Sequence, residues 1–385
     1  MIYIFIILLL VFASFSIIIY IGWRKLANHN QSPLNIKTFD GSNSPYHPSV
    51  LYKENGFAGY DYIMSETPFY LSLPNDGENY RDQFECPSIH FSNDGIHWVE
   101  TIPNPISTLT DEQRNNRDYY SDPDLIMTPV GIECWYRLNR RYGDIHKQDN
   151  ISLLRKKSKD GITWSDEEEI INLGVMGEST ALGKIVISPA VIYDEGKYKL
   201  WFVDNISPSK TCARNICYAE CDTHLTKWEC CEKIKMNGSD ISPWHIHVFK
   251  DKNFFWLTVY DKNNISLWKG MSETNFSFIR TLLHPSKSIG SFFSHSLYRA
   301  CLVKINDGKY RLYFSGNDVF KTYIGIMEGD SPENLSLKSV NNTRFRGVYS
   351  YVDIWIKTKF TETYKKLEYY ILRIKGIVVR ILKVK

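Results

Sequence analysis

Short apolar segments with alternating polar positions recur five times between residues 46 and 341. Each copy opens on a polar or Pro-flanked position and continues into a short apolar run. Runs of this length, bounded by Gly, Pro, Asn and Asp, predict β-strands rather than helices. The five openings, spaced 54 to 75 residues apart, lie at 47–52, 122–126, 188–193, 245–249 and 299–303.

A second segment, rich in Tyr, Trp and Phe, follows each opening. These segments lie at residues 60–64, 133–137, 198–202, 254–258 and 310–314. Aromatic and β-branched side chains suit a pleated, half-buried surface, and an all-strand repeat of this period is typical of a β-propeller. We therefore predict an all-β fold, a five-bladed β-propeller over residues 40–345 with four strands in each blade.

The polar residues at the five strand starts are the first candidates for a functional site. The first strand of each propeller blade lines the central channel, so these residues are expected to converge on a common pocket. They are His47, Asp122, Ser188, His245 and Arg299.

The first 24 residues differ from the repeat in composition. Residues 2–22 carry no charge, and about 20 consecutive apolar residues suffice for a helix to cross a bilayer. We predict an N-terminal transmembrane anchor over residues 1–24 and a linker over 25–39, with a cleaved signal peptide as the alternative. Arg24 and Lys25 follow the span of this single-pass membrane protein, and these two charges favour a cytoplasmic propeller but leave the side of the membrane open.

The C-terminal segment, residues 350–385, is both basic and apolar. Ile371, Ile374 and Val378 fall on one face of a helix, and Arg373 and Arg380 fall on the other. A basic amphipathic helix of this kind binds an anionic membrane surface, and packing on the outside of a blade is the alternative. Membrane lipid is therefore an expected partner of both chain ends.

Charge and cysteine spacing argue against two other kinds of partner. A formal net charge of +3 in 385 residues provides no basic surface for a polyanion, so nucleic acid is not an expected partner. Cys217 and Cys221 are four residues apart in a predicted strand, a separation of about 13 Å that is too large for a shared zinc ion. The sequence predicts no metal site and no cofactor.

Two hairpins share the pattern Ser-x-Asp-Gly-x-x-Trp, at residues 92–98 and 158–164. They resemble the Asp-box turn of sialidases and other carbohydrate-active propellers. The expected roles are structural: Asp caps its own loop, Gly adopts a positive φ and Trp fills the space between blades. The motif indicates a propeller blade and is not evidence for catalysis.

The order of the strand starts, with His-Pro, Asp-Pro and Ser-Pro pairs, resembles the five-bladed superfamily of arabinanases, xylosidases, invertases and levansucrases. The resemblance covers about residues 40–341 and implies a carbohydrate or glycoconjugate as the ligand. In these enzymes, one carboxylate from each of the first three blades takes part in glycoside hydrolysis. Asp122 matches in blade 2, but His47 and Ser188 occupy the other two positions.

The catalytic hypothesis combines Asp122 with His47 and His245. A His beside a carboxylate serves as general acid or base near neutral pH. The neoagarooligosaccharide hydrolases of the same superfamily resemble this chain in using a His in place of a carboxylate acid. Glu85, at the start of the third strand of blade 1, is the alternate acid.

Two functions from different classes follow. One is a membrane-anchored, glycosidase-like enzyme that acts on a glycan or glycoconjugate. The other is a non-catalytic carbohydrate-binding or scaffolding propeller, with a role in surface polysaccharide or glycolipid assembly. The missing carboxylates favour the second, and the clustered polar strand starts favour the first. The residues expected to bind the sugar are Arg137, Ser188, Asp204, Tyr298 and Arg299.

Overall fold

The strands of the chain form a closed ring of five β-sheets. The structure is a computed structural model that describes residues 12–14, 32–69, 85–143, 150–172, 186–204, 214–286, 291–305, 308–318 and 321–338. The innermost strands of successive sheets lie side by side, and the innermost strand of the last sheet contacts that of the first. The prediction of a five-bladed β-propeller is confirmed.

The strands follow the chain from the centre of each blade outwards in four of the five blades. Blade 1 contains β1 (Pro45–Phe57), β2 (Tyr60–Pro68) and β3 (Ser88–Ser92). Blade 2 contains β4 (Tyr119–Thr128), β5 (Gly131–Arg140), β6 (Asn150–Ser158) and β7 (Glu168–Asn172). Blade 3 contains β8 (Val186–Asp194), β9 (Lys197–Asp204), β10 (Asn215–Asp222) and β11 (Trp228–Lys233).

The remaining strands complete the ring. Blade 4 contains β12 (Lys235–Asn237), β13 (His245–Asp251), β14 (Phe254–Asp261), β15 (Asn264–Ser272) and β16 (Asn275–Leu283). Blade 5 contains β17 (Ser296–Lys304), β18 (Tyr310–Asn317), β19 (Thr322–Gly329) and β20 (Leu335–Lys338). A short helix, α1 (Asp111–Asn115), precedes blade 2 and begins with a capping box formed by Thr110 and Gln113. All ten strand segments predicted from the sequence lie within these strands.

A hydrophobic cluster fills each of the five interfaces between neighbouring blades. Aromatic side chains of the second strands supply much of the packing. Trp135 is buried between blades 2 and 3, Trp201 between blades 3 and 4, and Tyr313 between blades 5 and 1. Each sheet covers its two faces only by contact with its neighbours, so burial of these apolar surfaces drives closure of the ring.

Two blades depart from the predicted four strands. The fourth position of blade 1 is reduced to a bridge in which the backbone groups of Phe91 and Val99 exchange two hydrogen bonds of 2.9 Å. Pro103 and Pro105 follow within a few residues and lack the N–H group that a longer strand needs. Blade 4 has a fifth strand, because β12 pairs in parallel with β16.

The chain segment before β1 packs against the last blade. Leu34 and Ile36 are buried among residues of blades 1 and 5, and the N–H group of Leu34 donates to the carbonyl of Ile324 at 2.8 Å. Residues 32–39, which the sequence analysis assigned to a linker, therefore belong to the propeller.

Both Ser-x-Asp-Gly hairpins have the expected turn geometry. Backbone N–H groups of the following residues donate to the carboxylates of Asp94 and Asp160. Gly95 and Gly161 have φ angles of 69° and 86°. Trp98 lies edge-on to Tyr313 of blade 5, with ring centroids 6.0 Å apart, so the motif helps to join neighbouring blades.

The two chain ends lie largely outside the described residues. Of the predicted anchor over residues 1–24, the structure describes residues 12–14, which are helical, and the predicted amphipathic segment 350–385 is not described. Within the described ranges, no helix combines the length and the hydrophobicity required to cross a bilayer. The anchor and the C-terminal helix stay predictions.

Candidate functional site

The inner strands of the first three blades share an irregularity at their polar-Pro pairs. In β1, β4 and β8 a β-bulge interrupts the regular pairing at this point. His47, Asp122 and Ser188 have φ angles of 49°, 54° and 49°, a conformation that costs roughly 1–2 kcal/mol for a residue with a side chain. The following Pro disfavours the helical conformation of the residue before it, and the bulge redirects that residue relative to the strand.

Asp122 is at the centre of the site and is fully buried. Its Oδ1 atom lies 3.5 Å from Nε2 of His47 and 3.5 Å from Nδ1 of His245. Its Oδ2 atom lies 2.7 Å from Nε of Arg137 and accepts a 3.2 Å hydrogen bond from the backbone N–H of Ser188. Oδ2 is thus paired with a guanidinium and a backbone N–H, and Oδ1 faces two imidazole rings.

Burial and charge together set the protonation of these groups. Burial alone would raise the pKa of Asp122, but the guanidinium of Arg137 holds that pKa well below its usual range. Burial lowers the pKa of His47 to about 4, against the opposing effect of Asp122. Burial also lowers the pKa of His245 well below its usual range. At neutral pH the site therefore contains one carboxylate and two neutral imidazoles.

The three side chains have the composition of a metal site, and the two carboxylate–histidine distances suit a shared ion. His47 Nε2, His245 Nδ1 and Asp122 Oδ1 lie within 4.8 Å of one another, and all three atoms are buried without a hydrogen-bond partner among the described residues. Two ligands about 2.1 Å from a tetrahedral metal ion are roughly 3.4 Å apart, which agrees with the two distances of 3.5 Å. Two histidines and a carboxylate are a common ligand set for divalent zinc and iron. The residues fit a divalent cation, which the sequence analysis did not predict.

A cavity of about 140 Å³ borders this cluster. Among the described residues that line it, Glu85 and Asp122 are the carboxylates. Tyr298 forms part of the wall, and its hydroxyl accepts a 2.7 Å hydrogen bond from Nε1 of Trp244. Burial raises the pKa of Tyr298 above its usual range, so its hydroxyl stays protonated.

Six of the predicted site residues meet at this cavity. They are His47, Glu85, Asp122, Arg137, His245 and Tyr298. Ser188 lies beside them and contributes its backbone to Asp122, while its hydroxyl bonds to the backbone of Ile246. Asp204 ends β9 opposite Val186 and is not part of the cavity wall. The catalytic and binding roles of these residues stay predictions.

Arg299 occupies a different position from the one expected of a substrate-binding residue. It is fully buried, and its guanidinium donates to the carbonyl groups of Pro123 at 2.9 Å and Pro189 at 3.1 Å. It also forms an ion pair with Oδ1 of Asp124 at 3.0 Å, and this same oxygen accepts a hydrogen bond from Ser49. Arg299 therefore connects the inner strands at the hub and has no exposed surface for contact with a ligand.

Six residues of the cavity wall were not predicted as site residues from the sequence: Phe69, Tyr119, Ser121, Arg141, Ile187 and Trp244. Trp244 stands directly before His245, so the Trp-His-Ile-His string was a signal for it. Tyr119 lies at the start of β4, and the guanidinium of Arg141 lies 4.2 Å from its ring centroid. No sequence pattern marks Arg141, because it follows the end of a second strand rather than the start of a first one.

Comparison with known proteins relates the fold of this chain to that of carbohydrate-active propellers. No protein-family model matches the chain. The chain is 22% identical over 346 residues to an A-type blood N-acetyl-α-D-galactosamine deacetylase of Flavonifractor plautii. The match covers 76% of this chain and 42% of the deacetylase, so this chain spans less than half the length of that relative.

Solved structures share the fold at low sequence identity. An N-acetylgalactosamine deacetylase from F. plautii, in complex with blood group B trisaccharide, superposes with a TM-score of 0.63 at 18% identity, covering 82% of this chain and 92% of that one. A glycoside hydrolase family 43 β-xylosidase/α-arabinofuranosidase from a compost metagenome, in complex with xylotriose, superposes with a TM-score of 0.53 at 12% identity, covering 81% and 98%. A family 43 enzyme from Xanthomonas citri gives 0.56 at 10% identity, covering 84% and 98%. The chain is therefore a five-bladed β-propeller with structural neighbours among family 43 glycoside hydrolases and a glycan deacetylase.

Proposed function

We propose that this propeller is a metal-dependent hydrolase that removes an acyl group, such as N-acetyl, from a sugar residue of a glycan. The observation that carries the proposal is the cluster of His47, Asp122 and His245, whose ligand-type atoms face one another without hydrogen-bond partners among the described residues. The likeness to a deacetylase over most of the propeller supports the choice of an acyl group. The absence of two of the three glycosidase carboxylates supports it further.

His47 Nε2, His245 Nδ1 and Asp122 Oδ1 are the atoms that would hold the cation. A divalent cation bound there supplies Lewis-acid chemistry by polarising the carbonyl group of the substrate. Arg137 keeps Asp122 ionised and leaves its Oδ1 facing the histidines. Thr67 Oγ1 lies 2.8 Å from His47 Nδ1 and orients that ring, as the outer hydrogen bonds of metal-binding histidines do. Because both imidazoles are neutral, their lone pairs are available to the cation.

Glu85 and Tyr298 supply the remaining chemistry in the cavity wall. Hydrolysis of an amide breaks the C–N bond, adds water and needs a base for the attacking water and an acid for the leaving amine. Glu85 is the carboxylate of the wall that does not take part in the cation cluster, and it can accept the proton and then return it. The protonated hydroxyl of Tyr298 offers a donor to the negative charge that develops on the carbonyl oxygen.

The test is acetate release from N-acetylated glycans by the full-length chain. The wild type is expected to release acetate, to lose this activity with a chelator and to regain it with added Zn²⁺. Because positioned acid–base groups contribute about 100-fold or more, Asp122→Asn and Glu85→Gln are each expected to lower kcat at least about 100-fold. His224→Ala changes an exposed histidine and serves as the control. Full acetate release by Asp122→Asn would refute the proposal.

Glycoside hydrolysis is a second candidate, supported by one observation: Glu85 and Asp122 line the same cavity. A pair of carboxylates is the usual machinery for cleavage of a glycosidic bond. In this reaction Asp122 acts as the ionised member, and Glu85 acts as the acid. A new reducing end that forms without acetate, and that a chelator does not prevent, would identify this reaction. Binding of a glycan with neither product would favour the carbohydrate-binding or scaffolding role.

We also propose that residues 1–24 tether the propeller to a membrane. The uncharged run at residues 2–22 supports the tether, and Arg24 and Lys25 support a cytoplasmic propeller. After alkaline carbonate extraction, the full-length chain is expected in the membrane pellet and a chain lacking residues 1–24 in the supernatant. Recovery of both chains in the supernatant would refute the tether. Protease protection in sealed vesicles reports the side of the membrane.

A further inference from the structure

A groove adjoins the central cavity and shares two of its lining residues. This groove has a volume of about 470 Å³, and Trp244 and Tyr298 line both it and the cavity. The cavity itself, at about 140 Å³, is close in size to an engineered void of roughly 150 Å³ that holds benzene. Pockets that enclose larger ligands begin near about 300 Å³. The cavity therefore has room for the reacting end of a glycan, and the rest of the glycan must leave it along a path such as the groove.

Aromatic rings connect the candidate cation site with the groove. The ring centroid of His245 lies 4.0 Å from that of Tyr298, and the centroid of Tyr298 lies 5.4 Å from that of Tyr260. Tyr260 lines the groove. Arg214 also lines the groove, and its guanidinium lies 4.2 Å from the ring centroid of Trp244. A sugar ring has apolar C–H faces, and this wall of aromatic rings offers them a packing surface.

Polar groups stand at the edge of this aromatic wall. Asp261 and Lys262 line the groove at the turn between β14 and β15. Asp261 is partly exposed and borders the groove. A sugar hydroxyl can donate to this carboxylate, and its oxygen can accept from the ammonium of Lys262. The combination of an apolar wall and a few convergent polar groups is typical of a ligand site.

We propose that the groove binds a second sugar residue of the substrate, so that the enzyme acts on a sugar linked to another sugar rather than on a free monosaccharide. The second ring packs on Tyr260 and Trp244, and one of its hydroxyl groups donates to Asp261. The inference rests on the proposed function, in which the central cavity receives the N-acetylated residue.

The experiment compares the binding of matched ligands to the full-length chain by calorimetry. One ligand is methyl N-acetyl-α-D-galactosaminide, and the other is a disaccharide with the same N-acetylated residue linked to galactose. Asp122→Asn is present throughout to prevent turnover. The disaccharide is expected to bind about 10-fold more tightly or better, since a hydrogen bond to a charged group contributes about this much. Asp261→Ala is expected to remove this advantage and to leave monosaccharide affinity within about twofold, whereas Asp166→Ala, at an exposed position of blade 2, leaves both unchanged.

Three results would overturn the inference: equal affinities for the two ligands, an advantage that survives Asp261→Ala, or binding of neither ligand. Tyr260→Phe is a second variant that keeps the packing of β14, and it is expected to retain the advantage because the ring remains. Thermal unfolding of each variant verifies that it is folded. If only the proposed function were wrong, the wild type would release no acetate. The disaccharide would still bind more tightly than the monosaccharide, and Asp261→Ala would still remove that advantage.

Discussion

Arg137 approaches Asp122 to 2.7 Å through its Nε atom and so gives the two oxygens of that carboxylate different surroundings. Oδ2 faces the guanidinium and the N–H of Ser188, while Oδ1 faces the two histidines. A buried carboxylate without a cation beside it would be driven to protonate. Arg137 is therefore a positioning residue for Asp122.

Removal of the guanidinium is expected to weaken cation binding. In Arg137→Met, the carboxyl of Asp122 loses its fixed orientation and its charge partner, and the affinity for Zn²⁺ should fall by about 10- to 100-fold. Arg137→Lys keeps the charge and should recover part of the loss. The affinity is measured by competition with a fluorescent chelator, with Arg280→Met, an exposed arginine, as the control. Equal affinities in wild type and Arg137→Met would show that Asp122 does not depend on this contact.

The Arg299–Asp124 ion pair is expected to stabilise the hub. Both side chains are buried, and loss of one partner leaves the other charge unpaired in the interior, which costs about 3–5 kcal/mol. Arg299→Met should therefore lower the free energy of unfolding in urea by about this amount. Adding Asp124→Asn removes the stranded charge, so the double variant should be more stable than Arg299→Met alone. The reverse order of stabilities would show that the pair is not coupled.

Gly161, in the Ser-x-Asp-Gly hairpin of blade 2, allows a test of the packing between blades 1 and 2. A Cβ atom on Gly161 would lie 2.7 Å from Cδ1 of Ile63 and 3.1 Å from Cε1 of Phe91, whereas a Cβ on Gly196 meets no atom within 4 Å. Both glycines have a positive φ, so Gly196→Ala reports the backbone cost alone. Gly161→Ala should be less stable than Gly196→Ala by about 1–3 kcal/mol, the usual cost of overpacking. Equal melting temperatures of the two variants would contradict this account of the packing.

Glu66 provides a test of pH dependence. Burial raises the pKa of this carboxyl, although His90, 3.1 Å away, opposes the shift. A group whose pKa is higher in the folded chain stabilises the fold below its unfolded pKa and loses that contribution as pH rises through the folded value. Glu66→Gln, which mimics the protonated form, should therefore gain stability relative to wild type at pH 8 and show little difference at pH 4. Glu100→Gln, at an exposed position, is the control in urea unfolding, and a constant difference at both pH values would refute the assignment.

The sequence was sufficient to predict the blade count and the meeting of three strand starts. Blade topology fixes where each inner strand begins, and a polar residue at that point is close to the axis in every copy. His47, Asp122 and His245 therefore come together as expected. The sequence did not reveal that these three side chains could bind a cation. Metal motifs are recognised by local spacing, and these residues come from blades 1, 2 and 4.

The position of Arg299 depends on a β-bulge, which the repeat pattern of the sequence does not reveal. A bulge interrupts the pairing of β17 between Leu297 and Ala300, and an extra residue in a strand changes the face to which the following side chains point. The bulge sends Arg299 into the hub toward Asp124 and leaves Tyr298 in the cavity wall.

The positive φ angles before three prolines show that the backbone geometry of the hub does not depend on which side chain is present. His47, Asp122 and Ser188 share one backbone geometry while presenting an imidazole, a carboxylate and a hydroxyl. The bend belongs to the backbone and the residue that follows, since it is shared by three different side chains. One backbone geometry thus presents three kinds of functional group around the same axis.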